Sequence, residues 1–294
     1  MRERKVNGMQ LRCTARRHGR LSSFLKGELK MSTGLMNRLK WGDGIRVNDV
    51  PRHTDYAVVP GDVISVRLDE KPIEYPAEEG QPVILYEDDH ILAVDKPAGM
   101  LIHPSRAQNS GTLANLVAGY YRRTGQHCAF HPVTRLDRDT FGVVLLAKHA
   151  HAHSLLQQIP VQKTYHALTL GGPRENTGII DAPIARRPLP SLLRYISHEG
   201  KPSRTAWQVL DRKDELCKLA LQPITGRTHQ LRLHCYHMGF PILGDPQYNT
   251  EAGLALSKTL GLEHQLLCAR RVEFPHPLTE EAMVIESRQD CDIQ

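Results

Sequence analysis

The stretch HPVTRLDRDTFGVVLLAK, residues 131–148, decides how the rest of the chain is read. Arg135, Asp137, Arg138 and Asp139 crowd into five positions and run straight into Val143-Val144-Leu145-Leu146-Ala147. An unbroken apolar run of this length reads as a strand covered on both faces, and charged side chains are rarely buried unless paired. The charges therefore mark the mouth of a core strand. If RLDRDT is extended, Arg135, Asp137 and Asp139 share one side while Leu136, Arg138 and Thr140 share the other. A carboxylate fixed there sits in a cleft; a salt-bridged turn at a strand start is the structural alternative.

Outward from this strand the chain reads as α+β. VILYEDDHILAVDKPAG fits two strands joined at Asp88-Asp89, and GTLANLVAGYYRRTG fits a helix. KTYHALTL, SRTAWQVL and CKLALQPI fit further strands, so the sheet reads as mixed and largely antiparallel. Strands follow one another without regular helical alternation, which argues against a doubly wound sheet. RTHQLRLHCYHMG reads helical, with Leu231, Cys235 and Met238 on one stripe and Gly239 past its end.

Four segments emerge. Residues 1–18 read as a basic flexible arm, 19–71 as a small compact α+β module, 72–81 as a linker and 82–294 as one larger α+β unit. In the small domain Ser32 can cap a helix whose apolar stripe is Leu35, Met36 and Leu39. The first 20 residues hold seven Lys/Arg (among them Arg12 and Arg20) against Glu3 alone, which accounts for the whole net charge of +6. Such an arm suits a polyanion such as nucleic acid.

Composition excludes several classes. The six cysteines form no CxxC pair and read as reduced thiols. No apolar run approaches the ~18 to 20 residues that span a bilayer, and MRERKVNGMQ lacks the apolar segment of a secretory signal. The cytoplasm is the expected location, with no membrane partner. There is no GxxxxGK[ST], no GxGxxG after a strand and no GxSxG. His149, His151 and His153 alternate but lead into a helical segment with no Cys or carboxylate to complete a set. They read as a surface helix start rather than a metal site.

A second stretch, TGRTHQLRLHCYHMGFPILGD (residues 225–245), places Arg227 at the head of the helix, free to point into the cleft. An arginine there can fork onto a carboxylate. Together with RLDRDTFGVVLLAK, KTYHALTLGG, LYEDDHILAVDKPAGMLIHPS, GKPSRT and LLCARRVEFPHP, this stretch resembles the RluA-type family of RNA pseudouridine synthases over roughly residues 82–277. Residues 19–71 resemble the S-four type of RNA-binding domain.

The resemblance implies isomerisation of uridine in RNA to pseudouridine, with Asp137 as catalytic nucleophile, Tyr165 as the ring stacked on the target uracil, and Arg227 as partner of the Asp137 carboxylate. No oxidation state changes and no group is transferred, so no cofactor or metal is expected. The target base must leave its stack to be reached. Arg20, Arg38, Lys40, Arg46, Arg135 and Lys163 are the expected RNA contacts, and the protein is expected to act as a monomer on structured RNA. Large-subunit ribosomal RNA is the first expectation within the family and transfer RNA the second. The chain departs from the family pattern at Thr134, Phe141 and Cys268, where His, Ser and His are usual. Phe141 is expected to reshape the cleft.

Two readings of other classes compete. One is a hydrolase of nucleoside bonds using Asp137 and Asp139 as a pair. Such enzymes place their acids on opposing sides of the bond, ~5 to 9.5 Å apart, whereas residues two apart on a strand sit side by side. The other is a non-catalytic RNA-binding protein of the same fold.

Overall fold

The computed structural model describes residues 9–68, 73–105, 108–188, 191 and 193–292. The strand that organises it is Phe141–Ala147, with every residue buried. Its alternation serves two cores at once. Val144 and Leu146 pack with Leu92, Val94, Leu113 and Val117, whereas Val143, Leu145 and Ala147 pack with Ile91, Ala93, Ala152, Leu156 and Val272. The first set is covered by the helix Leu113–Arg123 and the second by the helix Ala150–Leu156. Each buried aliphatic side chain contributes roughly 1.5–3 kcal/mol.

Around it runs a ten-stranded sheet in the order 177–181, 204–213, 216–223, 162–170, 267–275, 141–147, 91–96 and 83–87, with 282–286 paired to 267–275 and 131–132 paired to 141–147. Neighbours are antiparallel except at the middle, where 141–147 meets 267–275 in parallel through Phe141↔Cys268 and Gly142↔Ala269. Gly142 (φ +107°) is required at this junction, because a Cβ there would lie 2.4 Å from the Ala269 carbonyl oxygen. The expected α+β fold and its largely antiparallel mixed sheet are therefore present.

The small N-terminal domain has its own core of Leu11, Leu21, Phe24, Leu25, Ile45, Ile64 and Val66. Its four-stranded sheet has the order 9–14, 63–68, 45–47, 50–51. Ser32 caps the helix Thr33–Leu39, accepting from Leu35 N at 3.1 Å. The basic arm expected over residues 1–18 needs correction. Met9–Thr14 is a strand paired along its length with Val63–Leu68, because Leu11 and Cys13 alternate towards the domain core. Arg2, Arg4 and Lys5 lie outside the described residues.

The expected linker is irregular from Ile73 on but fastened to the residues that follow it. Glu78 N donates to Asn115 O, Asn115 Nδ2 donates to Pro76 O, and the Glu78 carboxylate accepts from Gly111 N. The small domain also touches the rest of the chain through Lys30, whose Nζ lies 2.6 Å from Glu280, and through His151 Nε2 against Leu29 O at 2.9 Å. His149 and His151 are accordingly buried, not on the surface: His149 Nδ1 caps its own helix by accepting from Ala152 N.

Candidate active site

A cleft of about 620 Å³ opens at the start of the Phe141–Ala147 strand, lined among others by Arg135, Asp137, Lys163, Tyr165, Arg227, His229 and Arg232. Two features of the sheet place Tyr165 in this wall. Gly142, Ala269, Tyr165 and Leu221 lie in one row across it. The ladder slips between Thr164 and Tyr165, and a bulge of this kind re-aims a side chain. Tyr165 thereby joins the cleft wall while staying 9% exposed.

RLDRDT is not extended as expected. Thr140 N donates to Asp137 O at 3.3 Å, closing a turn just before the strand. The turn separates the two acids. Asp137 lines the cleft, whereas Asp139 lies 3.2 Å from His264 Nδ1 and is absent from the lining. The charge cluster is thus divided: Asp137 and Arg135 line the cleft, whereas Arg138 and Asp139 lie 3.7 Å apart outside its lining. This division removes the geometric basis for a two-acid hydrolase.

The partner of Asp137 is not Arg227. Arg232 Nη1 lies 3.2 Å from Asp137 Oδ2, while Arg227 is exposed on the cleft wall with its Nε donating to Pro202 O at 3.3 Å. The reason lies in the turn before the helix Gln230–His237. Gln230 is buried and accepts from Arg227 N and Thr225 Oγ1 through Oε1, while its Nε2 donates to Arg204 O and Thr205 Oγ1. That web pins the Arg227 backbone to the Arg204–Lys213 strand and turns its side chain aside.

Arg232, five residues on, is 5% exposed and sits between two carboxylates. Its Nε and Nη2 fork onto fully buried Asp245 at 2.6 and 2.8 Å, and Nη1 is left for Asp137. Burial alone would lower the Arg232 pKa, but Asp245 and then Asp137 raise it above the ordinary guanidinium value.

Two residues missed in the sequence support the same site. Lys96 ends a buried strand with no exposure, and its Nζ donates to Pro97 O, Met100 O and Arg138 O at 2.8–2.9 Å. It thereby ties down the turn carrying Asp137. Burial lowers its pKa to about 8 against the pull of Asp139 and Asp137. His229 precedes the helix in a left-handed conformation (φ 56°), with Nε2 3.9 Å from Asp137 Oδ2.

The departures from the family pattern are accounted for as packing. Thr134 is buried and its Oγ1 accepts from Leu145 N at 2.9 Å, anchoring the core strand. Phe141 packs with Leu168, Leu243, Cys268 and Cys291 and is not part of the cleft lining, so it does not reshape the cleft as expected. Cys268 is fully buried, and desolvation raises its thiol pKa to about 12.

Of the expected RNA contacts, Arg135 and Lys163 line the cleft. Burial lowers the pKa of Lys163. Arg20 and Arg38 are exposed on the small domain, and Lys40 Nζ lies 5.0 Å over the Trp41 ring. Arg46 is only half-exposed, because it donates to Asp43 O and Asp49 O within its own loop. Among the described residues no group of three or more His, Cys, Asp or Glu side chains could hold a metal ion. Among the described residues no helix is long and apolar enough to cross a membrane.

The site is thus a single carboxylate held by a buried arginine, beside an aromatic ring in a cleft with basic walls. The family model for RNA pseudouridylate synthase matches residues 90–237, and the chain belongs to this family of RNA pseudouridine synthases. It is 36% identical over 264 residues to the uncharacterized RNA pseudouridine synthase YjbO of Bacillus subtilis, covering 87% of this chain and 91% of that one. It is 34% identical to the ribosomal large subunit pseudouridine synthase C of Haemophilus ducreyi, covering 92% and 88%. Among solved structures, human RNA pseudouridylate synthase domain containing 1 superposes with a TM-score of 0.58 at 26% identity, covering 72% of this chain and 86% of that one.

Proposed function

We propose that the protein converts uridine in large-subunit ribosomal RNA to pseudouridine by a cofactor-free mechanism centred on Asp137. The observation that carries the mechanism is the Arg232–Asp137 pair at 3.2 Å in the mouth of the cleft. Breaking the bond from ribose to uracil nitrogen builds positive charge on the sugar, and an ionised carboxylate against that face stabilises it. Arg232 holds the Asp137 carboxylate in place at 3.2 Å. Tyr165 offers a ring for the flipped uracil to stack on; the detached base then turns over and rejoins the sugar through carbon five. Burial, reinforced by Asp137, holds the Tyr165 hydroxyl pKa well above its ordinary range.

The ribosomal target is supported by the relatives named for the large subunit, which this chain matches along most of their length. Arg20, Arg38 and Lys40 on the small domain, with Arg135 and Lys163 at the cleft, would carry phosphates to it. Maps of pseudouridine in cellular RNA with and without the gene test this target. Loss of a site in large-subunit ribosomal RNA is expected, and loss confined to transfer RNA would overturn it.

A further inference from the structure

We propose that a row of four histidines, His276, His90, His149 and His151, docks the small domain on the larger one and releases it as the medium turns acid. The ring centroids of His276 and His90 are 5.7 Å apart, those of His90 and His149 5.4 Å, and those of His149 and His151 6.2 Å. The contacts of the small domain lie at the two ends of this row. At one end His151 Nε2 meets Leu29 O at 2.9 Å. At the other, the turn after His276 receives Lys30 through Pro277 O and Glu280, and lays Leu278 against the small domain's core.

The backbone fixes which ring nitrogens carry hydrogen. Ala152 N donates to His149 Nδ1 at 3.1 Å, and Thr279 N donates to His276 Nδ1 at 3.1 Å. A backbone amide can only donate, so both Nδ1 atoms present lone pairs and both neutral rings carry hydrogen on Nε2. His276 Nε2–H then donates to Asp88 Oδ2 at 2.9 Å, and His149 Nε2–H to His90 Nδ1 at 3.1 Å. An extra proton breaks this pattern. On His90 Nδ1 it sets N–H against N–H. His149 can answer only by moving its hydrogen from Nε2 to Nδ1, and the new Nδ1–H opposes Ala152 N–H. The helix Ala150–Leu156 then loses its cap, and His151 its pose on Leu29. A proton on His276 Nδ1 likewise displaces Thr279 N and opens the turn that holds Lys30.

His90 is where the proton enters, since it is only half-buried, whereas His149 is fully buried and His151 and His276 nearly so. Burial lowers the His90 pKa most, and His276 and His151 lower it further, against the pull of Asp88 and Asp89. The nearby charges are already engaged. Lys148 Nζ is 2.9 Å from Glu87 and donates to Asp88 O, Lys30 holds Glu280, and Glu281 faces Thr279 Oγ1. Asp88 accepts from Tyr86 Oη and from the His90 and Ile91 amides. A docked pKa below the ordinary 6.5 means that the released state binds more protons. Docking is therefore full above that value and weakens as pH falls below it. Because the small domain carries Arg20, Arg38 and Lys40, its release also loosens the grip on RNA, a consequence that rests on the function proposed above.

The test uses the full chain without RNA, so its outcome stands apart from the assigned reaction. A zero-length carbodiimide joins Lys30 to Glu280, 2.6 Å apart across the two domains, and Lys218 to Asp292, 2.9 Å apart within the larger one. Mass spectrometry reads the first link as a ratio to the second from about pH 8 to about pH 5. In the wild type the ratio should fall several-fold as pH drops below 6.5, with the circular dichroism spectrum unchanged. His149→Asn keeps the cap, since an asparagine oxygen accepts from the same amide, but does not titrate. His90→Gln removes the point of entry. Both variants should hold the ratio near its neutral value throughout. A wild-type ratio constant with pH would overturn the proposal, as would an equal fall in all three proteins. A second measurement needs no variant: ring-nitrogen chemical shifts of the wild type at neutral pH should place the His149 hydrogen on Nε2, and finding it on Nδ1 would overturn the proposal as well.

Discussion

Arg232 Nη1 lies 3.2 Å from Asp137 Oδ2 while the same guanidinium forks onto buried Asp245. One side chain therefore couples the cleft carboxylate to the interior. Arg232→Ala should abolish turnover and also destabilise the fold, because it strands Asp245 without its counter-charge; breaking a buried pair costs about 3–5 kcal/mol. Arg227→Ala should leave the melting temperature within a degree or two and reduce RNA affinity only modestly. Thermal melts and single-turnover assays of both variants check this, and equal losses in the two would contradict the assignment.

The aromatic face of Tyr165 should matter more to binding than its hydroxyl, since stacking a base on a ring contributes ~1 to 3 kcal/mol. Tyr165→Phe is expected to bind substrate RNA like the wild type and Tyr165→Leu about 5- to 150-fold more weakly. Equal affinities of the Phe and Leu variants in a filter-binding assay would remove the stacking role.

Lys96 gives a pH signature of stability. Its pKa is about 8 in the folded chain against 10.5 for an unperturbed lysine. The unfolded chain therefore binds more protons between those values, and the cost of burying the charge, full below pH 8, is relieved as pH rises towards 10.5. Denaturant unfolding should show the stability of the wild type rising relative to Lys96→Met across that window. Lys96→Met should also be destabilised throughout, because three buried carbonyls lose their donor. A difference constant with pH would show that Lys96 titrates normally.

Recognition should separate from chemistry. A chain beginning at Ile73 keeps the linker contacts around Glu78 and Asn115 but loses the small domain with Arg20, Arg38, Lys40 and Arg46. Its affinity for long structured RNA should fall, and log affinity should depend less steeply on log salt, as fewer counterions are released. Turnover at saturating RNA should survive. Identical salt slopes for the two chains would show that the small domain does not touch phosphate.

The sequence made some of this legible and hid the rest for physical reasons. The core strand announced itself through five consecutive aliphatic residues, and Asp137 through its position before them. Arg232 was masked because its helix was read only for its apolar stripe. The available signal was an arginine between Leu231 and Leu233, which needs a buried partner such as Asp245. Lys96 carried a similar signal at the end of ILAVDK. The left-handed turn at His229 left no mark, since backbone conformation at a non-glycine residue is set by tertiary contacts such as the Gln230 web. Met9–Thr14 hides its strand in the sequence because the basic residues on either side of it mask the alternation of Leu11 and Cys13.

The central claim is that a single ionised carboxylate, Asp137, carries the isomerisation. Large-subunit ribosomal RNA bearing tritium at carbon five of uracil reports it directly, because the label leaves as the new bond is completed. The wild type should release label in step with pseudouridine formation. Asp137→Asn, which keeps the size and loses the charge, should bind the RNA as tightly and release none. Substantial release by Asp137→Asn would contradict the account.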